Sequence, residues 1–395
     1  MTSNVPSVLI VSTTLNTGGA QRFVSTLLAH LDRSAVRPSL CLLRRDVGFP
    51  LADDVPLHVL DWQSPWGFPR MVRKLSRLID EVKPDVLLSN ITAANLVCGL
   101  ALDRCSYQPR WIARIGNSPL RYGNPLRRLI AKRTYGRVAQ FVVNSAGLTE
   151  DVVRLFPPSR GRIRVIANPT DFQAIDALAD QPAEYQHSGN VPLLVAVGRL
   201  FEQKRYDVML NAFAVARRNR PADLWICGEG PRRRSLERQI RRLGLGDSVR
   251  LLGYCSNPFA LLRQATLFVM SSDFEGLPNS LIEAQGLGLP AVSTRCPWGP
   301  DEIIVDGVTG RLTNVDNAQA LASAISELLD DPPRRQEMSL AAKQRARSLY
   351  DVARLTRTWE ELITDVPGRE RGGEGGMGRA AVLNFKGSRF QVEDS

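Results

Sequence analysis

Short apolar runs alternate with longer amphipathic stretches along almost the whole sequence, and this alternation limits the fold more than any other feature. The apolar runs predict buried strands near residues 7–12, 39–43, 57–60, 86–89, 111–115, 140–143 and 164–166, and again near 193–197, 223–227, 248–252, 267–270 and 291–294. Patterns with helical spacing lie between most of them, including residues 21–31, 70–81, 206–217, 232–243, 257–264 and 279–287. This alternation is typical of a mainly parallel sheet covered by helices.

The pattern restarts once, which predicts two doubly wound α/β domains in tandem. A chain of 395 residues is long enough to bury two cores. We assign residues 1–170 to the first domain and 191–345 to the second, with the Pro-, Asp- and Gln-rich residues 171–190 as the linker. A C-terminal helix at 346–365 is expected to pack back toward the first domain, and the Gly-rich, charged tail at 366–395 is expected to be disordered.

Composition excludes several classes of protein. Apolar residues make up 44% of the chain and charged residues 23%, as in ordinary soluble globular proteins, and no apolar run approaches the ~18 residues of a membrane helix. The six cysteines are scattered and the three histidines are isolated, which argues against a zinc site or a serine–histidine triad. We therefore expect reduced thiols, a cytoplasmic location, and neither a metal nor a cofactor.

Positive charge is concentrated in the first half. The formal net charge is +11, and the excess of Lys and Arg falls entirely within residues 1–170. Such a field attracts phosphates, anionic lipid surfaces or nucleic acid. Nucleic acid is not expected as a partner, because stacking aromatics are not interleaved with the basic residues and no helix-turn-helix or zinc pattern occurs.

The segment 271–290 (SSDFEGLPNSLIEAQGLGLP) carries the most informative chemistry. It follows a predicted strand and leads through turn-forming residues into a predicted helix, with Pro278 at a position favoured for the first helical residue. Free N–H groups and the helix dipole make such a junction a seat for anions. Glu275 and Glu283 lie eight residues apart along it, a spacing that suits a phosphate flanked by two hydroxyl-bearing groups, as in a sugar nucleotide.

Further motifs follow other predicted strands. Gly198-Arg199-Leu200 with Lys204 places two cations where they can clamp phosphates. Cys227-Gly228-Glu229-Gly230-Pro231 is a second strand-to-helix turn, and Gly253-Tyr254 follows a third strand. In the first half, residues 16–22 (NTGGAQR) turn from the first strand into the first helix. They match neither the dinucleotide fingerprint nor the P-loop.

Together these motifs resemble the retaining glycosyltransferases of family 4, which have the GT-B fold of two facing Rossmann-like domains. The resemblance extends to about residue 366, and its most specific part is the pair of glutamates within FEGLPNSLIEA. Residues 296–303 (CPWGPDEI) are similar to those of bacterial polysaccharide and lipopolysaccharide enzymes that use UDP-activated sugars.

The resemblance implies three catalytic residues. Glu275 would hold hydroxyl groups of the donor sugar, and Arg199 and Lys204 would stabilise the departing diphosphate in place of a divalent metal. The leaving phosphate would take the acceptor proton, so that no protein base is needed. The resemblance also implies a set of donor-binding residues, in which Glu283 binds the ribose, Gly276 and Leu277 offer backbone N–H groups and Tyr254 packs near the base: Gly18, Gly19, Gly198, Glu229, Tyr254, Gly276, Leu277, Asn279 and Glu283.

The sugar pocket departs from the family pattern in one respect. Many members carry a histidine after the strand that corresponds to residues 111–115, whereas this chain has Arg114-Ile115-Gly116-Asn117-Ser118 there. Gly116 and Asn117 are the residues expected to line the sugar pocket instead. This difference keeps open an inactive transferase, and a sugar-nucleotide epimerase on the same fold is a further alternative.

The first domain is expected to bind the acceptor. Residues 70–81 and 120–138 combine basic and apolar side chains, which favours attachment to an anionic membrane on its inner face. A helix that buries its apolar side in the core and exposes its basic side would show the same pattern. A nucleotide-sugar donor and a lipid-linked or saccharide acceptor are the expected partners.

Overall fold

A computed structural model of the protein describes residues 5–16, 18–62, 64–122 and 125–365. In these ranges the chain forms two parallel sheets. The first contains β1 (Ser7–Ser12), β2 (Arg37–Leu42), β3 (Leu57–Val59), β4 (Val86–Asn90), β5 (Arg110–Ile115), β6 (Gln140–Val143) and β7 (Ile163–Val165). The second contains β8 (Leu193–Val197), β9 (Asp223–Cys227), β10 (Val249–Gly253), β11 (Leu267–Met270), β12 (Ala291–Thr294) and β13 (Gly310–Thr313).

Helices cover both faces of each sheet. In chain order they are α1 (Gly19–His30), α2 (Phe68–Val82), α3 (Ile91–Leu102), α4 (Pro119–Tyr122), α5 (Pro125–Thr134), α6 (Leu148–Leu155), α7 (Phe172–Ala179), α8 (Tyr206–Ala216), α9 (Arg233–Arg242), α10 (Pro258–Leu262), α11 (Asn279–Gly286), α12 (Pro300–Ile303), α13 (Ala318–Asp330), α14 (Pro332–Tyr350) and α15 (Val352–Thr364). The predicted fold of two Rossmann-like α/β domains is confirmed.

The two sheets share one topology. Their strand orders are β3-β2-β1-β4-β5-β6-β7 and β10-β9-β8-β11-β12-β13, and all neighbouring strands run parallel. In each sheet the order reverses beside the first strand, between β1 and β4 and between β8 and β11. Ligands of open parallel sheets bind at the carboxyl ends of the strands at this reversal. The topology therefore places one candidate crevice on each domain.

The buried strands explain why the cores form on both faces of a sheet. Leu9 and Val11 of β1 point into one helical layer, whereas Val8 and Ile10 point into the other. Successive side chains of a strand point to opposite faces, so a strand buried on both sides reads as a continuous apolar run. This is why short apolar runs in the sequence located the strands well.

One strand was not predicted. β13 (Gly310–Thr313) has the sequence GRLT, and only two of its four residues are buried. It lies at the edge of the second sheet, beside β12. Gly310 and Leu312 are its two buried residues and alternate with Arg311 and Thr313, so the segment lacks the apolar run by which the other strands were located.

The passage at 171–190 is more than a linker. Its first part forms α7 (Phe172–Ala179), in which Asp171 caps the helix by accepting from the N–H of Ala174. Phe172, Ile175 and Ala179 are buried in the core of the second domain. The few apolar residues of this passage have helical spacing, which is enough to bury one face.

The C-terminal helix packs against the first domain, and it is shorter than the predicted range 346–365. Residues 346–350 complete α14, whereas α15 begins after Asp351 and packs against α1 of the first domain. Trp359 is fully buried there, with its ring 5.3 Å from that of Phe23. The predicted disordered tail at 366–395 lies outside the described residues.

We expect Trp359→Ala to lower the free energy of unfolding by about 3–5 kcal/mol, because it leaves a large cavity between α15 and the first domain. Urea denaturation followed by circular dichroism measures the loss. Arg357→Ala, at an exposed position of the same helix, should stay within about 0.5 kcal/mol of the wild type. Equal stability of the two variants would show that α15 does not hold the first domain.

Candidate functional site

The segment singled out in the sequence lies at the carboxyl end of β11, beside the reversal of strand order in the second domain. The strand ends at Met270, and α11 begins at Asn279. Pro278 is the cap residue just before the helix, with an extended backbone (φ −73°, ψ 103°), and not the first helical residue as predicted. Glu275 therefore lies in the loop and Glu283 in the helix.

Glu275 and Lys204 form an ion pair in the second domain. The Lys204 ammonium donates to Oε1 of Glu275 over 2.6 Å, and the hydroxyl of Ser272 donates to the same oxygen over 2.7 Å. Glu275 is only 7% exposed, and a buried carboxylate needs such partners. The structure thus brings together two of the three residues predicted as catalytic.

Arg199, the third residue predicted as catalytic, lies on the loop after β8 that also carries Lys204. Arg199 follows β8, and its exposed guanidinium stacks on Phe201, with 4.7 Å between Cζ and the ring centre. The backbone of Gly198 is tightly fitted, because a Cβ atom on Gly228 would lie 2.0 Å from the Gly198 carbonyl oxygen. The glycine-rich turn after β9 thus allows the loop after β8 to pack closely against it.

Glu229 and Tyr254 lie near each other, after β9 and β10, which are one and two strands away from β8. Glu229 pairs with Arg233 over 2.7 Å, and its Oε1 would lie 3.0 Å from a Cβ on Gly253, the residue just before Tyr254. Tyr254 is 65% exposed, so its ring is available to a flat ligand. These two residues form one edge of the crevice on the second domain.

Glu283 points across the gap to the first domain. Its carboxylate forms an ion pair with Arg22 of α1, and Glu283 is 5% exposed. The Arg22 guanidinium also lies over Phe49 of the first domain and Phe259 of the second, 5.4 Å and 5.5 Å from the ring centres. Arg22 occurs in the NTGGAQR segment, but the sequence alone did not reveal this partner.

The glycine turn at the start of α1 (Gly18, Gly19 and Ala20) meets α11. The side chain of Asn279 donates to the Gly19 carbonyl over 3.4 Å, and a Cβ on Gly19 would lie 3.1 Å from its Nδ2. Gly18 has a φ of 117°, which favours glycine. The predicted donor residues of both domains therefore lie on opposite walls of one cleft.

The predicted sugar pocket lies against the loop that carries Glu275. A Cβ on Gly276 would lie 1.9 Å from the carbonyl oxygen of Gly116 and 3.0 Å from Oδ1 of Asn117. Only glycine permits this approach of two backbones from different domains. Leu277 follows and is buried. Gly116 and Asn117 are thus neighbours of the Glu275 loop.

Two more contacts span the cleft, and sequence reasoning missed both of them. Glu302 accepts from the backbone N–H groups of Ala146 and Gly147 at the start of α6, over 3.1 Å and 3.3 Å. Burial raises the pKa of Glu302, although these two donors oppose the shift. The Arg121 guanidinium lies 4.7 Å from the ring centre of Phe274. No short motif marks either contact, because each joins residues distant in sequence.

Comparison with known proteins identifies the chain. A model of the glycosyltransferase family 4 matches residues 17–174, and a model of the glycosyl transferases group 1 matches residues 179–345. The two matches follow one another and span both domains. The chain belongs to the family 4 glycosyltransferases.

Relatives of this glycosyltransferase include two bacterial enzymes. It is 24% identical over 361 residues to the N-acetylgalactosamine-N,N'-diacetylbacillosaminyl-diphospho-undecaprenol 4-alpha-N-acetylgalactosaminyltransferase of Campylobacter jejuni, covering 87% of this chain and 95% of the relative. It is 26% identical over 296 residues to the lipopolysaccharide core biosynthesis glycosyltransferase LpsE of Rhizobium meliloti, covering 74% and 80%.

Solved structures share the fold of this glycosyltransferase. The Anabaena protein HepE, in complex with UDP and glucose, superposes with a TM-score of 0.76 at 18% identity, covering 91% of this chain and 99% of HepE. The predicted GT-B fold and the resemblance to polysaccharide and lipopolysaccharide enzymes are confirmed. Within the described ranges, no helix has both the length and the apolar character needed to span a bilayer.

The contact between Gly276 and Gly116 gives a direct test of the cleft geometry. We expect Gly276→Ala to push the two walls apart and to lower kcat/KM of sugar transfer at least about tenfold, equivalent to ~1.4 kcal/mol. Gly246→Ala is the control in the same domain, because a Cβ there meets nothing within 4 Å. Wild-type activity in Gly276→Ala would mean that the working cleft does not contain this contact.

Proposed function

We propose that the protein is a retaining, metal-independent glycosyltransferase that moves a sugar from a UDP-sugar to a lipid-linked or saccharide acceptor in cell-surface polysaccharide synthesis. The observation that supports this most directly is the pairing of the two reversal points of strand order across one cleft, with Glu275 and Glu283 both at its walls. A nucleotide-sugar has hydroxyl groups at both ends and a diphosphate between them, which matches two carboxylates that flank a helix N-terminus.

The relatives support the donor and acceptor classes. The Campylobacter enzyme is named for transfer to a diphospho-undecaprenol substrate, LpsE for lipopolysaccharide core synthesis, and HepE was solved with UDP and glucose. A UDP-sugar donor and a lipid-linked acceptor are therefore the first substrates to examine. Thermal shifts against a panel of nucleotide diphosphates, with UDP expected to give the largest stabilisation, test the base assignment.

In the proposed mechanism, Glu275 orients hydroxyl groups of the donor sugar. The backbone N–H groups of Gly276 and Leu277 would hold the diphosphate, and Arg199 and Lys204 would neutralise its charge as the bond to the sugar breaks. The leaving phosphate oxygen would take the proton from the acceptor hydroxyl, which attacks from the same face and retains the anomeric configuration.

Lys204 has a second role in this scheme. Because it already pairs with Glu275, it links the sugar-binding carboxylate to the phosphate site. Donor binding would bring a second anion to the same ammonium group, which offers three donors. The sugar and the leaving group would thus be fixed relative to one another by one side chain.

We expect Arg199→Ala to lower kcat/KM about 100-fold, because one preorganised charge on the leaving diphosphate is lost. Its exposed position predicts a change in unfolding free energy of at most about 0.5 kcal/mol. Activity is measured as UDP release and as glycosylated product, with EDTA present to test the independence from metal.

Arg234→Ala is the matched control, since it removes an exposed arginine from α9 of the same domain. Full activity of Arg199→Ala would contradict the assigned role. UDP release that needs no acceptor, with an isomerised sugar as product, would indicate an epimerase. No turnover with any donor would leave an inactive transferase.

Association with an anionic membrane surface is the second part of the proposal. The apolar residues of α2 (Met71, Val72, Leu75, Leu78 and Ile79) are buried in the core, so this helix can present only its basic side. The helix α5 differs, because Leu126 and Leu129 are 63% and 65% exposed. Both α2 and α5 pack against α3, which places their outer sides on one region of the first domain.

This region combines apolar and cationic groups. Trp66, just before α2, is 93% exposed, and α2 and α5 also carry exposed basic residues: Arg70, Arg73, Arg77, Lys132 and Arg133. Leucine and tryptophan can enter the headgroup region while the cations remain with anionic lipids. A peripheral position on the cytoplasmic side of the cell membrane would bring a lipid-linked acceptor to the cleft.

We expect the double variant Leu126→Ser/Leu129→Ser to bind phosphatidylglycerol-containing vesicles at least about tenfold more weakly, because a single fully buried leucine contributes about 1.5–3 kcal/mol and tenfold corresponds to ~1.4 kcal/mol. Co-sedimentation at low and high salt measures the binding. Leu340→Ser is the control, since Leu340 is 64% exposed on α14 of the second domain. Equal binding by both variants would exclude α5 from the membrane contact.

A further inference from the structure

Arg114 is a charged side chain buried in the first domain beneath the cleft. It lies near the end of β5 and is 1% exposed. In the described ranges no carboxylate forms an ion pair with it, and burial lowers the pKa of its guanidinium to about 9. Because a guanidinium stays protonated in proteins, this charge is buried without an acidic partner, which is a costly arrangement for an ion.

The partners of Arg114 are two neutral amides. It donates to Oδ1 of Asn90 over 2.7 Å and to Oδ1 of Asn168 over 2.6 Å. Its guanidinium also lies 3.8 Å from the ring centre of Phe23 in α1. These contacts fix the orientation of the guanidinium but leave its charge uncompensated.

Both amides connect Arg114 to the glycine turn through further hydrogen bonds. Asn90 donates to the carbonyl of Ala20 over 2.9 Å. Asn168 donates to Oδ1 of Asn279 over 2.6 Å, and Asn279 donates to the carbonyl of Gly19. One arm of the network thus stays within the first domain and the other passes through the second. They converge on adjacent residues, Gly19 and Ala20.

We propose that Arg114 is a positioning residue for the donor. It holds the glycine turn in place against Asn279 and adds positive charge to the floor of the cleft. The inference rests on the proposed function, because the diphosphate of the donor would supply the negative charge that Arg114 lacks. An uncompensated buried cation is stabilised when a dianionic ligand binds nearby. The same residue therefore shapes the site and favours its anionic ligand.

The variant Arg114→Met separates these roles from a purely structural one. The substitution removes a costly buried charge but leaves the amide oxygens of Asn90 and Asn168 without their donor. These two effects oppose each other, so we expect the variant to fold with a melting temperature within a few degrees of the wild type. The Kd for UDP should rise about 10- to 100-fold, as expected for losing a charge-assisted interaction, while the Kd for uridine changes much less. Isothermal titration calorimetry with UDP and uridine measures both.

Two variants sharpen the test. Arg114→Lys keeps the charge but lacks the planar guanidinium fork that fits both amides, so its affinity for UDP should lie between those of the wild type and Arg114→Met. Asn279→Ala should weaken UDP binding in the wild type and have little further effect in Arg114→Met, because the two residues act through one network. Arg110→Gln is the control, since it removes an arginine from the opposite end of β5 that contacts the Leu362 carbonyl instead, and it should bind UDP as the wild type does.

Amide hydrogen exchange of the ligand-free protein tests the positioning of the glycine turn without any donor. We expect Arg114→Met to increase amide hydrogen exchange several-fold at residues 18–23 and 279–283, with exchange elsewhere unchanged. Unchanged exchange at these residues, or unchanged affinity for UDP in a folded variant, would overturn the inference. If wild-type protein shows no affinity for UDP or other nucleotide diphosphates, the proposed function fails, and the exchange experiment still decides whether Arg114 positions the turn.

Discussion

The cleft depends on the contact of two backbones, Gly276 from the second domain and Gly116 from the first. Their closeness leaves no room for a side chain at Gly276, so the loop that carries Glu275 can rest directly on the strand end of the opposite sheet. The carboxyl ends of parallel strands are where such folds bind ligands. Two of these edges brought into contact form a site that neither domain has alone.

Charge inside the cleft is balanced unevenly. Glu275 and Glu283 each have a cationic partner, Lys204 and Arg22, whereas Arg114 has only amides. A buried ion pair contributes little net stability but becomes costly when one partner is removed. The carboxylates are therefore held in place before any ligand arrives, and the surplus of positive charge favours an anion. This arrangement suits an enzyme that must bind a diphosphate and stabilise it as a leaving group.

The sequence predicted the fold more fully than the site. Most of the twelve strands could be located because a strand buried on both faces must be apolar throughout, whereas the alternating sequence of β13 (GRLT) contains no apolar run. The loop containing Glu275 was recognisable because its chemistry lies in adjacent residues. In contrast, the partners Arg22, Asn168 and Glu302 meet their counterparts more than 100 residues away in the chain. Such pairs follow from how the domains dock, which local patterns do not encode.

The contacts across the cleft also imply how a donor enters. Arg22 with Glu283, Asn279 with the glycine turn and Glu302 with α6 all join the two domains, so a donor bound at the proposed site beside Glu283 would have to displace the Arg22 contact. The helix α15 also joins the two domains, because it follows directly from α14 on the second domain and is anchored by Trp359 in the first. With this apolar anchor at one end of the fold and weaker polar contacts in the cleft, the domains would be able to rotate without coming apart. In the proposed function, donor binding would replace polar contacts of the cleft, whereas the buried ring of Trp359 would keep the domains joined.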